Sequence, residues 1–185
     1  MLCIPICAQT TEAAVALMEQ ASPLADCLEL RIDRIKDCNL EQLMQKKSPG
    51  TGILVTNRSA AEGGGFPGSE RERIALLKQA VALGADLVDI EASTEKPLLK
   101  ELQAQIEKHG RRTRWICSSH DLKGTPSEGA LQKRFDACRR TGADLVKICT
   151  YARETADNLR VLGLIPFARK KGRGIIAFCM GEKGR

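Results

Sequence analysis

Seven short apolar runs alternate with six amphipathic segments from one end of this chain to the other, and that alternation limits its fold more than any other feature. The runs are residues 2–7, 27–32, 52–56, 87–90, 114–118, 145–148 and 174–179. Helical spacing of apolar residues falls at 11–20, 40–45, 70–83, 96–108, 128–139 and 154–170. Most of the runs are continuously apolar instead of alternating with polar residues. A strand reads that way when helices cover both of its faces, as in a parallel sheet. The spacing therefore predicts a parallel α/β fold built of successive βα units.

An internal repeat narrows the choice. Residues 84–90 read GADLVDI and residues 142–148 read GADLVKI, so the two differ only at Asp89 and Lys147. In both, the glycine follows a helix, where a left-handed residue is favoured, and the strand begins two or three residues later. Two equivalent units two strands apart favour a closed (β/α) barrel over an open doubly wound sheet. Lys147 thus stands in a slot that a second, similar unit fills with a different ionisable group. Strand alternation puts Lys147 and Leu145 on one side and Val146 on the other.

The active site of such a barrel lies at the C-terminal ends of its strands. Glu29 and Arg31 share a face of strand two, Arg58 and Glu62 follow strand three, His120 ends strand five and Lys147 ends strand six. Taken singly, each reads as a cap, a snorkelling chain or a surface ion pair; their joint placement at one end of the sheet argues for a site. A lysine inside an apolar strand is costly unless it is deprotonated or paired. A neutral amine near an imidazole is the equipment for Schiff-base chemistry on a ketone, with the histidine moving protons.

Composition removes several function classes. The 185 residues suit a single domain spanning 1–185, with 43% hydrophobic and 28% charged residues. No apolar stretch reaches the roughly 18 residues a membrane span requires, and the start MLCIPICAQ has no basic leader. No membrane is expected as a partner, and the cytoplasm is the expected location. The eight cysteines form no C-x-x-C pair, so they read as small buried hydrophobes in a reducing compartment and not as metal ligands. A net charge of +6 permits nucleic acid, but aromatics make up only 3% and the clusters at 111–114 and 169–171 fall at helix ends. A small anionic substrate suits the charge, and nucleic acid is not expected. The loop at 62–68, EGGGFPG, lacks the lysine and Ser/Thr of a phosphate loop and reads as a mobile loop over the site. Neither a G-x-S-x-G elbow nor an H-E-x-x-H zinc motif occurs, and no cofactor or metal is expected.

Five stretches in order carry a family likeness: ELRID at 29–33, TNRSAAEGG at 56–64, DIE at 89–91, SHD at 119–121 and VKI at 146–148, followed by FCMG at 178–181. With them the chain resembles type I 3-dehydroquinate dehydratase, the Schiff-base class of that shikimate pathway enzyme. The resemblance implies a (β/α)8 barrel, 3-dehydroquinate as the substrate, and a syn elimination of water. It assigns Lys147 to the imine, His120 to the protons, Glu62 to supporting His120, and Glu29, Arg31 and Arg58 to the substrate. A homodimer is compatible with it. The family pattern continues past strand seven with an arginine for the substrate carboxylate, an eighth strand and a lid. The expectation here is a barrel lacking its last βα unit, a fragment in preference to a truncated gene product or a barrel completed by another chain. Arg185 is the nearest candidate for the carboxylate clamp, a few positions out of register. Two alternatives stand beside this reading: another class I aldolase-type barrel, which also uses a strand-six lysine, and an inactive barrel that only binds.

Overall fold

The computed structural model describes residues 2–184, so the expectation for Arg185 lies outside the described residues. The chain divides into two compact units, one of Met1–Ile90 with Thr94–Arg114, the other of Glu91–Ser93 with Trp115–Arg185. In the first, β1 (Cys3–Ile6), β2 (Cys27–Arg31), β3 (Gly52–Thr56) and β4 (Leu87–Glu91) pair in parallel in that order. Helices α1 (Thr11–Ala21), α2 (Leu40–Gln45), α3 (Glu70–Ala82) and α4 (Lys96–Lys108) separate and follow them. In the second, β5 (Arg114–Asp121), β6 (Leu145–Tyr151) and β7 (Gly174–Met180) are again parallel and in order. Their helices are α5 (Glu128–Arg140), α6 (Asp157–Leu162) and α7 (Leu164–Lys170). Each unit is thus the parallel α/β architecture that the continuous apolar runs imply.

Local chemistry explains the starts and stops. The Ser69 hydroxyl and the Glu72 carboxylate cap α3 reciprocally, and the Asn39 side chain accepts from the Gln42 amide at the start of α2. Gly84 and Gly142 adopt φ of 85° and 89°, the left-handed turn the repeat demands between helix and strand. The aspartate of the repeat has a structural task. Asp86 Oδ2 accepts from the Ile53 amide (2.6 Å) and Asp144 Oδ2 from the Trp115 amide (2.9 Å), each latching the start of the preceding strand. Asp26, just before β2, does the same for the Leu2 amide at 2.6 Å. In the second unit the core forms around Val146, Ile148, Leu164 and Phe135, whose ring meets Phe167 edge-on with centroids 5.6 Å apart. Cys27, Cys117, Cys138, Cys149 and Cys179 are buried, in keeping with thiols used as small apolar side chains. Among the described residues, no helix is long and apolar enough to cross a membrane.

The larger departures from the sequence expectation lie in β5, β6 and the helix expected at 154–170. Strands β5 and β6 each run three residues beyond that expectation, so His120 and Lys147 sit within strands and not at their ends. The reason is that ladder pairing continues under polar side chains: Ser119 pairs with Ile148, His120 with Cys149 and Asp121 with Thr150. The helix expected over 154–170 breaks at Gly163 into α6 and α7. Pro166 has no N–H to give the Leu162 carbonyl, and its ring crowds that turn.

Candidate active site

The first unit gathers Glu29, Arg31 and Arg58. Strand alternation gives Glu29 and Arg31 one face of β2, and the registers place Thr56 beside Arg31 and Asp89 beside Thr56 on that same face. The Thr56 hydroxyl donates to Glu29 Oε1 at 2.7 Å. Arg58 donates to Asp89 Oδ2 at 2.8 Å, in an ion pair whose side chains are 4% and 0% exposed. Arg31 grips Asp33 with two parallel bonds of 2.8 Å. The hydrogen bond to Asp33 pushes the Arg31 guanidinium further up, with Glu29 adding to the rise and burial and Arg58 opposing it. Arg31 therefore feels both Glu29 and Arg58 electrostatically. Arg31 and Asp33 also line a cavity of about 920 Å³ with Cys7, Gly65 and Phe66.

Two acids in this cluster carry roles that sequence reasoning missed. Asp33 was visible only as part of a motif, and Asp89 only as the counterpart of Lys147 in the repeat. The repeat was in fact the available signal: its one variable slot is an anchor for Arg58 in one unit and the candidate nucleophile in the other. Burial works against charge on Asp33, yet Arg31 and the Gly65 amide outweigh it and hold the carboxyl below its ordinary 3.8. Such a group contributes stability above its unfolded value and loses it as pH falls through the folded one. Replacing Asp33 by Asn should therefore lower stability at pH 7 and flatten the acid limb below about pH 4. Denaturant melts at pH 7 and pH 3 measure this; an equal pH-driven loss in variant and wild type would contradict it.

Glu62 ends a short helical turn, Ala60–Glu62, and is half-buried. The glycines after it are required by close approach. A Cβ on Gly64 would overlap the Arg58 carbonyl, and Gly63 has φ 83°. The loop expected to be mobile is tied down along residues 63–65. Gly64 N donates to the Ser59 carbonyl (2.8 Å), Gly65 N to Asp33 (3.0 Å), and Arg34 to the Gly63 carbonyl (2.9 Å). Absence of side chains lets that backbone fold onto its own neighbours and satisfy its polar groups there.

The second unit brings His120 and Lys147 to one face. Ser118 pairs with Lys147 and His120 with Cys149 across the parallel β5–β6 ladder. Residues two apart on a strand point the same way, so Ser118, His120, Lys147 and Cys149 share a face. His120 is a diagonal neighbour of Lys147, about 7–8 Å away at the backbone and within reach of a four-carbon stem. Lys147 is 8% exposed, between the fully buried Val146 and Ile148. Beside His120, Asp121 accepts from Arg134 at 2.8 Å and from the amides of Lys123 and Gly124. Burial opposes its charge, but these donors hold the Asp121 carboxyl below the usual range. Glu62, the expected support of His120, belongs to the first unit and His120 to the second. The second unit thus offers a buried amine and an imidazole, and the first offers oriented guanidiniums and a carboxylate.

Comparison with known proteins gives the family of the chain. A family model described as type I 3-dehydroquinase matches residues 2–185. The 3-dehydroquinate dehydratase of Syntrophobacter fumaroxidans is 35% identical over 192 residues, covering 100% of this chain and 79% of that protein. That of Methanocaldococcus jannaschii is 34% identical over 185 residues, covering 100% and 80%. The crystal structure of type I 3-dehydroquinate dehydratase from Clostridium difficile superposes with a TM-score of 0.89 at 25% identity, over 98% of this chain and 76% of that one. The Enterococcus faecalis structure gives 0.88 at 27%, over 98% and 80%. This chain accordingly spans about four-fifths of the length of these relatives. Its fold is α/β of their TIM-barrel class, with seven strands among the described residues. Likeness in sequence and in structure extends over nearly all of its residues, and the chain belongs to the type I 3-dehydroquinase family.

Proposed function

We propose that this protein is a 3-dehydroquinate dehydratase that eliminates water through an imine on Lys147, with His120 as the proton carrier. The observation that carries the reading is the shared face of β5 and β6, where the buried Lys147 lies one diagonal step from His120. The neutral Lys147 amine adds to the C3 ketone, and the carbinolamine loses water to give an iminium. That cation acidifies the adjacent C2–H. His120 takes the proton, and the electron pair moves onto the nitrogen as an enamine. The enamine pair then returns to expel the C1 hydroxyl, which leaves as water with the proton from the His120 imidazolium. Hydrolysis of the conjugated iminium releases 3-dehydroshikimate and restores the amine.

The remaining residues bind and orient. Glu62 is assigned to fixing the His120 tautomer and favouring its charged form. Glu29, held by Thr56, accepts from ring hydroxyls, while Arg31 and Arg58 supply fixed cations toward an acidic substrate. The reading treats 1–185 as one catalytic domain. The buried thiols suit the reducing cytoplasm.

The test is incubation with 3-dehydroquinate, reduction with borohydride, and intact-mass measurement. The expected result is one covalent adduct at Lys147 together with growth of enone absorbance. No adduct and no enone would overturn the reading, and labelling only by a phosphorylated ketose would replace it with an aldolase. Binding of substrate without either signal would identify an inactive barrel.

A further inference from the structure

The residue after His120 opens a loop that the reaction does not use, and the far end of that loop is fastened behind the strands. Thr125 Oγ1 lies 2.8 Å from Thr150 Oγ1, 3.1 Å from the Tyr151 carbonyl and 3.7 Å from Cys179 Sγ. Thr150 Oγ1 lies 3.4 Å from the same sulfur. A carbonyl can only accept, so the single Thr125 hydroxyl proton goes to Tyr151. Thr150 then donates to Thr125, and the Cys179 thiol donates to Thr150. The bonds run in one direction, from β7 through β6 to the loop, and each hydroxyl both gives and accepts. Thr150 is fully buried and Cys179 is 6% exposed, which raises the cost of leaving any member without its bond.

Thr150 alternates with Cys149, so it points to the face opposite Lys147. The cluster therefore ties the loop after β5 to β6 and β7 from the side away from the amine and imidazole. It does so five residues after His120 and three after Lys147 in sequence. We infer that Thr125 is a positioning residue for the His120–Lys147 pair, fixing the end of β5 against β6. The inference rests on the dehydratase reading for its effect on turnover. Asp121 anchors the start of the loop to α5 through Arg134, and Thr125 anchors its far end to the two following strands. Between these points Leu122 and Lys123 are exposed, with Leu122 at 46%. Arg153, just after β6, also holds that stretch, its Nε donating to the Lys123 carbonyl at 2.9 Å.

The variants are Thr125→Val, which keeps the shape and removes the hydroxyl, and Thr125→Ser, which keeps the hydroxyl. Misplacing reacting groups by about 1 Å costs on the order of 10²-fold. Thr125→Val should therefore lower kcat by about tenfold to a hundredfold with KM nearly unchanged, while still giving the borohydride adduct. Thr125→Ser should restore most of kcat. The ring resonances of His120, read by NMR without substrate, should shift in the valine variant and return in the serine variant. Wild-type kcat in Thr125→Val, or a serine variant as slow as the valine one, would overturn the inference. So would a loss of rate matched by an equal unfolded fraction in thermal melts. If wild type forms no adduct, the dehydratase reading has failed, and unchanged His120 resonances in Thr125→Val would then overturn the positioning role independently.

Discussion

Replacing Lys147 with methionine should abolish turnover and the trappable adduct together, whereas His120→Ala should keep the adduct and lose turnover. The two outcomes separate because the two groups act at different steps. Lys147 supplies the bond that makes the substrate an electron sink, and no neighbouring group on its strand face is an amine. Methionine fits the slot as an unbranched apolar chain, since Lys147 is 8% exposed and flanked by Val146 and Ile148. Its thermal stability should therefore stay close to that of wild type, and the lost activity is then not assigned to unfolding. His120 moves protons that are also accessible, slowly, to water. Its loss should cost on the order of 10²–10⁴-fold in kcat, with imine formation slowed but complete on standing. Enone absorbance gives the rate and intact mass after borohydride gives the adduct. A methionine variant that still turned over would sink the imine mechanism. A histidine variant that formed no adduct at any time would place His120 in the first step alone.

The sequence made the slot of Lys147 legible because its twin was printed 58 positions earlier. Gly84 and Gly142, Asp86 and Asp144 repeat because the chain needs a left-handed turn and a latch for the neighbouring strand at each place. Once those four are accounted for by folding, the one position that differs is left to chemistry. Strand ends were less legible. A run of Ser118, Ser119, His120 and Asp121 ends hydrophobic patterning without ending the ladder, because backbone pairing is indifferent to which side chains it carries. The break between α6 and α7 could have been read from Pro166, whose effect falls one turn before it. The partner of Arg58 could not be read by spacing, since Asp89 is 31 residues away and meets it only through strand pairing. Thr125 was hidden for a similar reason. In sequence it is one more polar loop residue, and only the converging ends of β6 and β7 show what its hydroxyl holds.

The pair Arg58–Asp89 yields the largest expected effect on stability. Both side chains are buried, at 4% and 0% exposed, and the bond between them is 2.8 Å. Removing one member of such a pair typically costs about 3–5 kcal/mol, because the other charge is left in a low-dielectric site short of its counter-ion. The two deletions should not be equal. Arginine cannot shed its proton in a protein, so Asp89→Asn traps a cation and should incur the full cost at every accessible pH. Arg58→Met leaves an aspartate that can neutralise itself by binding a proton, so its penalty should shrink as pH falls from 7 toward 5. At about 1–3 kcal/mol per molar urea for small proteins, Asp89→Asn should lower the urea midpoint by more than about 1 M. The double variant Arg58→Met with Asp89→Leu fills the same space with apolar groups and should recover much of the loss. It should not recover activity, since Arg58 is assigned to the substrate and no apolar side chain can orient an acid. Urea melts at pH 7 and pH 5 for the three variants decide the matter. An Asp89→Asn protein within about 0.5 kcal/mol of wild type, the range of an ordinary surface change, would show that the pair does not hold this part of the fold. Recovery of stability without activity in the double variant would instead show that the charge of Arg58 is kept in the core for catalysis, against the interest of the fold.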